Sequence, residues 1–317
     1  MLYAYVRSGA GLALLDPGAD LAQAIWIDLY RPLEAQVRAV TALGYDVPTL
    51  ADMEEIEISN RLYTDQGTLY MTGVLPGQLP DGTQTSMPVG FILNDQRLVT
   101  VRHHAPRPFE TFPARADRSN SGCATPERVF LGLAEEIVGR LADLSEGVSR
   151  ILETTAGQVL ARAPADADLR RALVSIGQQA ELVGRIRMGL LSMDRILVYH
   201  AASQGPRAEV QAARAIRAVI QRDIQALEVH ADFLTSRIAM TIDATMGMIG
   251  LQQNERVRIL SVITALFLPP TLIASVYGMN FRVFPTLEQP WGLPLALGLM
   301  AVSVVGVLAL LKWKNWL

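Results

Sequence analysis

The chain has 317 residues, of which 50% are apolar and only 19% charged, and a formal net charge of −3. Its positive mean hydropathy is unusual for a wholly soluble protein and makes membrane insertion the first expectation. The acidic balance, without a basic patch interleaved with aromatics, argues against a nucleic-acid partner; a single cysteine, Cys123, excludes an intramolecular disulfide, argues against a thiolate metal cluster and fits a reducing compartment.

The opening "MLYAYVRSGAGLALLDPGAD" lacks a basic stretch followed by a sustained apolar core, so no cleaved signal peptide is expected. Apolar or period-two runs occur at "LYAYVRS", "AIWIDLY", "RLYTDQGTLYMTGVL" and "PVGFILNDQRLVTVR", the last two interrupted by hairpin signals at "TDQG" and "NDQ". "RPLEAQVRAVTALG" has helical spacing and ends in glycine. An α/β domain of roughly 110 residues is expected here. The stretch "APRPFETFPARADRSNSGCA", rich in proline, serine and glycine, reads as a connector.

Thr125, Pro126 and Glu127 form a helix start, with a hydroxyl cap and a proline where its missing N–H costs nothing. Helical spacing then runs to about Ala163, pauses at "APADAD" and resumes to about Ser203 before "QGP", which implies two antiparallel helices. From Arg207 to Tyr277 no breaker precedes Pro269 and Pro270, so one helix of about 70 residues and about 105 Å is expected. Such a rod needs partners, and copies of itself are the simplest cover.

Residues 259–277, "ILSVITALFLPPTLIASVY", carry no charge and would cover about 28 Å, matching a hydrocarbon core of about 30 Å. Residues 291–311, "WGLPLALGLMAVSVVGVLALL", are a second such run, and no long segment remains for a third. Arg256 and Arg258 before the first and Lys312 and Lys314 after the second predict cytoplasmic termini and an outward link.

Steps of three and four along the first span meet Asn254, Val257, Ser261, Thr264, Leu268, Thr271 and Ser275, and extend back to Gly250, Gly247 and Asp243. One reading is ordinary: membrane helices carry Ser and Thr that bond their own backbone or pack against a neighbour. The other is a wet passage, favoured because Pro269 and Pro270 each free a carbonyl one turn earlier that needs water or protein. Two spans cannot enclose a passage, so a pore requires several copies around an axis.

The span ends in Gly278, Met279 and Asn280. This tripeptide between two C-terminal spans, with the preceding "FLPPTLIAS" and the basic tail "KWKNWL", resembles the CorA family of divalent-cation transporters. "AIWIDLYRP", "EEIEISNRLY", "GFILNDQRLVTVR" and "ERVFLGLAEEIVGRLAD" resemble that family's cytoplasmic domain, so the resemblance covers nearly the whole chain.

The resemblance implies an α+β cytoplasmic domain followed by long helices and a two-span transmembrane region, assembled as a funnel-shaped homopentamer in the cell's inner membrane. The divisions expected are a cytoplasmic α/β domain with connector over 1–124, a helical stalk over 125–258, and the spans, outer loop and tail over 259–317. Mg²⁺ is the implied cargo and regulatory ion, with no organic cofactor. Its tightly held waters would hydrogen-bond to a filter ring of Asn280 amides, with Gly278 permitting the turn and Met279 packing it; capping of the span is the ordinary alternative for Asn280. Thr264, Thr271 and Ser275 would offer further polar contacts, while Val257, Leu260 and Leu268 fall where the family places apolar constrictions. Asp243 and Asn254 would face the cytoplasmic mouth, although Asp243 also suits a solvated helix carboxylate. Regulatory Mg²⁺ would be held by acids, for which the candidates are Asp52, Glu54, Glu55 and Glu57.

After the signature, Phe284, Pro285, Thr286 and Leu287 stand where many members read "MPEL", and Arg282 offsets Glu288, so the loop has no net charge with which to concentrate cations. Co²⁺ or Ni²⁺ could share the path, and a Zn²⁺ transporter of the related ZntB group is the alternative; the retained Met279 favours Mg²⁺. An enzyme is not expected: "GAGLAL" is only a fragment of a glycine fingerprint, and His103, His104, His200 and His230 form no ligand pattern. A membrane-anchored coiled-coil scaffold or sensor would explain the long helix but not the hydroxyl stripe.

Overall fold

The computed structural model describes residues 1–16, 18–55, 57, 61–161, 165–203, 209–279, 289–314 and 316. Contacts divide the chain into two units, Met1–Ala161 with Arg171–Ile242, and Arg162–Arg170 with Asp243–Leu317.

In the first unit the period-two runs become β1 (Leu2–Ser8), β2 (Gly11–Leu14), β3 (Trp26–Tyr30), β4 (Leu62–Asp65), β5 (Thr68–Gln78), β6 (Gln84–Leu93) and β7 (Leu98–Arg102). They form one sheet in the order β2-β1-β3-β7-β6-β5-β4. Only β3 and β7 pair in parallel; the rest are antiparallel. "TDQG" turns β4 into β5 with Gln66 at φ 44° and Gly67 at φ 78°, the left-handed pair a tight hairpin requires. At "NDQ", the Asn94 side-chain oxygen accepts from the amides of Gln96 (3.0 Å) and Arg97 (3.1 Å) and closes the β6–β7 turn. "GAG" is the β1–β2 turn, with Gly9 at φ 60°, so those glycines serve chain reversal.

Side chains alternate across the sheet. Ile27, Leu29, Tyr70, Ile92, Val99 and Val101 point to the face covered by α1 (Glu34–Thr41) and α2 (Leu50–Glu54). Trp26, Met71, Leu75, Phe91 and Leu98 point to the other, into the core shared with the later helices. The supposed connector departs from expectation: Pro108–Arg115 is a helix, α3, started by Pro108 and burying Phe109 and Phe112. Aromatic spacing of three residues outweighs its proline content, because it lays both rings on the sheet beside Trp26.

Helix α4 (Pro126–Val159) begins as its sequence requires, with the Thr125 hydroxyl accepting from the Arg128 amide at 3.3 Å and Pro126 at the first position. Helix α5 (Asp166–Ala202) returns along the same core, its Ser192 hydroxyl accepting from the Val74 amide at 3.1 Å. The close approach is possible because Gly73 lies beneath it; a Cβ there would stand 2.7 Å from Ile196 Cδ1. Helix α6 (Glu209–Gly278) is unbroken over 70 residues.

A buried polar knot sits on the Trp26 face of the parallel pair. Arg102 grips both Asp28 oxygens, at 2.8 Å from Nη2 and 3.1 Å from Nε, Thr100 donates to Asp28 at 2.8 Å, and the Trp26 indole donates to Thr100 at 3.0 Å. Tyr30 and Phe109 flank the guanidinium, at 4.5 and 5.1 Å from their ring centres. Every strong donor and acceptor that leaves water here finds a partner, which is the condition for burying an ion pair without large penalty. Removing one partner strands the other, so Asp28→Leu is expected to destabilise the fold by about 3–5 kcal/mol, with the double replacement Asp28→Leu/Arg102→Met costing much less; denaturant unfolding of the natural chain, the two single variants and the double variant measures it.

Burial pushes His104 and His200 down to about 4 from an ordinary value near 6.5. The fold therefore holds both neutral, and the stability so gained is complete above the unfolded value and is lost as pH falls from about 6.5 towards 4. His104 donates its Nε2–H to the Leu75 carbonyl, 2.8 Å away. Melting temperature should fall across that pH window in the natural chain and fall less steeply in His104→Gln, which can still bond Leu75 but does not titrate.

Candidate ion pathway

Helix α6 carries two rows of residues, each repeating at steps of three and four, the inner one through half-buried Leu227 between Ile224 and Ala231. Ala213, Arg217, Ile220, Ile224, Ala231, Leu234, Ile238, Thr241 and Thr245 are all buried. On the opposite side of the helix, Val219, Arg222, Ala226, Val229, Phe233, Ser236, Met240, Asp243 and Gly247 are all exposed. The exposed row includes large apolar groups, with Val229 at 71% and Met240 at 72% exposure. At the same steps it continues through Gly250, Asn254, Val257, Ser261, Thr264, Leu268, Thr271 and Ser275, which are exposed except for half-buried Gly250.

The sequence reading found this row only back to Asp243, because it followed small and polar side chains. Upstream the spacing is unchanged but the chemistry turns apolar, and period alone would have traced it. A strict 3.5-residue repeat drifts by about 20° per heptad on a straight helix, so the row can face one axis throughout only if copies coil left-handedly.

In the second unit, α6 runs on to Gly278 and α7 spans Gly292–Trp313; both helices are long and apolar enough to cross a membrane. Asp166 at the start of α5 pairs with Arg256, just before the apolar run. Ser261 donates to the Val257 carbonyl at 2.8 Å, Thr264 to Leu260 at 2.9 Å and Thr271 to Phe267 at 2.9 Å. These bonds are the self-satisfying kind that ordinary membrane helices use. They have a second effect: the hydroxyl proton is committed inward, so the exposed oxygen faces outward as an acceptor. Pro269 and Pro270 lie inside the helix, and the carbonyls of Ala265 and Leu266 can take no helical bond from them.

Leu260 is exposed beside the row, Gly278 is exposed, and Met279, 51% exposed, donates its amide to the Val276 carbonyl at 3.3 Å. Asn280 and the loop residues 281–288 lie outside the described residues.

The acidic candidates Asp52, Glu54, Glu55 and Glu57 belong to the first unit. Asp52 closes a capping box on α2: its carboxylate accepts from the Thr49 amide at 2.9 Å and the Thr49 hydroxyl at 2.7 Å, and these bonds hold its pKa below the usual carboxylate value. Glu54, Glu55 and Glu57 are exposed, and the Glu55 carbonyl receives the Arg61 guanidinium. Among the described residues no three His, Cys, Asp or Glu side chains converge on a metal-sized point within one chain.

The family model described as CorA-like Mg²⁺ transporter protein matches residues 22–312. The chain belongs to this CorA-like family. It is 31% identical over 321 residues to a magnesium transport protein CorA of Pasteurella multocida, covering 100% of both chains. To a protein of the same name from Yersinia pseudotuberculosis it is 30% identical over 305 residues, covering 96% of this chain and 95% of the relative. Its fold matches the structure of the CorA magnesium transporter from Methanocaldococcus jannaschii with a TM-score of 0.77 and 18% identity, over 100% of this chain and 99% of that one. The CorA-like assignment accords with the α/β unit, the long helices and the two apolar candidate spans.

Proposed function

We propose that the chain carries Mg²⁺ across a membrane through a pore lined by the α6 helices of a homopentamer. The observation that carries this reading is the uncovered row of α6, which exposes Val219, Val229, Phe233 and Met240 upstream, beside Arg222 and Ser236, and presents the hydroxyls of Ser261, Thr264, Thr271 and Ser275 within the apolar span. An exposed apolar row in water calls for a protein partner. A hydroxyl row in lipid calls for another polar surface or water. Copies of one helix around one axis satisfy both demands with the same face.

The polarity of the ladder suits a hydrated cation. Mg²⁺ keeps its inner waters, whose protons point outward. With their own protons bonded to carbonyls one turn back, Ser261, Thr264 and Thr271 offer lone pairs to those waters. The freed carbonyls of Ala265 and Leu266 add acceptor strength where water or a neighbouring helix reaches them. At the outer mouth a ring of Asn280 amide oxygens would select the hydrated ion without holding it as tightly as carboxylates do, with Gly278 and Met279 shaping the ring. Val257, Leu260 and Leu268 would form constrictions that dewet when the helices close. Asp243 and Asn254 would mark the cytoplasmic mouth.

On this reading residues 1–124 and 125–258 are cytoplasmic domain and stalk, residues 259–317 are membrane region and tail, and both termini face the cytoplasm. Internal Mg²⁺ bound between subunits near Asp52, Glu54, Glu55 and Glu57, together with Asp243, would favour closure.

Three outcomes are expected. Asn280→Ala abolishes Mg²⁺ uptake into reconstituted vesicles while the assembled particle keeps its mass. Phe233→Glu, on the exposed row, lowers particle mass while helical content survives, whereas Leu234→Glu, on the buried row, loses helical content; light scattering and circular dichroism separate them. Vesicle flux of Mg²⁺, Co²⁺, Ni²⁺ and Zn²⁺ favours Mg²⁺ and is insensitive to an imposed proton gradient; proton-dependent Zn²⁺ flux would favour the ZntB-type alternative.

A further inference from the structure

The buried row of α6 contains one charged residue. From Ala213 to Thr245 it is otherwise Ala, Ile, Leu or Thr, and Arg217, only 5% exposed, interrupts it. The guanidinium Nη1 lies 3.1 Å from Nδ1 of His200, which is 0% exposed in the last turn of α5. On the other edge of the ring, Nε2 of His200 is 3.5 Å from the Glu127 carboxylate in the first turn of α4. Phe130, one turn along α4, packs on the imidazole with ring centres 5.1 Å apart. A neutral imidazole fits this chain of contacts, with Nδ1 accepting from Arg217 and Nε2–H directed at Glu127. Burial, and then the Arg217 charge, hold His200 in that neutral form.

Aliphatic rows specify alignment weakly, because one Ile or Leu fits another's space; a single buried polar group at a repeat position fixes register, since every displaced alignment leaves it unpaired. Sliding α6 by one turn would carry the Arg217 guanidinium about 5.4 Å away from His200 and Glu127, into aliphatic surroundings.

We infer that Glu127, His200 and Arg217 form a register lock joining the start of α4, the end of α5 and the cytoplasmic part of α6, so that these three helices move as one body and α6 cannot slip along its neighbours. The lock stands on the first unit alone; its consequence for transport rests on the reading of α6 as the pore helix. If that reading holds, a change in the cytoplasmic unit reaches the pore as displacement of the whole helix.

Register can be measured without transport. Arg187 on α5 and Asp232 on α6 form an ion pair at 2.9 Å, which marks the aligned state. In the full-length protein with Cys123→Ala, the pair Arg187→Cys/Asp232→Cys reports alignment to a short bis-maleimide, and Arg187→Cys with Glu228→Cys or Ser236→Cys reports displacement by one turn. Adding Arg217→Met is expected to raise the ratio of displaced to aligned cross-link at least threefold, and an unchanged ratio overturns the lock. Should Arg217→Met not fold, His200→Phe keeps a ring against Phe130 while removing the acceptor, and the same rise is expected of it; an unchanged ratio there is equally contrary. In vesicles, Arg217→Met should also shift the internal Mg²⁺ concentration that halves flux by at least threefold. A shifted cross-link ratio in a chain that transports no Mg²⁺ keeps the lock and removes the pore reading.

Discussion

A 70-residue helix can bury only as much surface as its neighbours cover, and the neighbours of α6 within the chain cover one side of it. Its sequence answers that constraint with two rows at the same heptad spacing on opposite sides. The inner row belongs to the chain's own core, from Ala213 to Thr245. The outer row has no cover among the described residues, yet it exposes Val219, Val229, Phe233 and Met240 where water would surround it and Ser261, Thr264, Thr271 and Ser275 where lipid would. Each half would be misplaced on an isolated chain. Both become ordinary when the outer rows of several copies meet around a wet axis.

The parts of the molecule then divide the work by chemistry. The buried Asp28–Arg102 pair ties together two parallel strands far apart in sequence. Helices α4 and α5 tie to that platform at close approaches such as Gly73 against Ile196. Arg217 holds α6 to those helices by a directional polar contact, something aliphatic packing does weakly. Polarity inside the apolar run is arranged without charge, through hydroxyls, amides and carbonyls left free by paired prolines. Neutral acceptors suit an ion that keeps its water, because they bind the hydration shell loosely enough to release it.

Much of this was legible in the sequence because period and capping are local signals. The Thr125–Pro126 start, the breaks before Asp166 and after Ala202, the two hairpin turns and the unbroken α6 were readable from neighbouring residues alone. The proline and serine content around residues 108–115 predicts a connector, whereas the spacing of Phe109 and Phe112 lets them pack as a helix. The glycines of "GAGLAL", only a fragment of a glycine fingerprint, form the β1–β2 turn. Of the site, the lower row from Asp243 to Ser275 is legible from its small and polar side chains, while its upstream half is marked by period alone. Buried pairings such as Arg217 with His200 could not be read at all, since they join positions from separate helices and no local pattern marks them.

The central claim is that one face of α6 turns towards water inside the membrane, and labelling of single cysteines by a membrane-impermeant thiol reagent tests it most directly. In a Cys123→Ala background, cysteines placed one at a time from Val257 to Ser275 should react in a 3.5-residue rhythm at 257, 261, 264, 268, 271 and 275, and Mg²⁺ should slow the reaction. Reaction on the opposite face, or no reaction anywhere along the span while residues outside it label freely, would contradict the account.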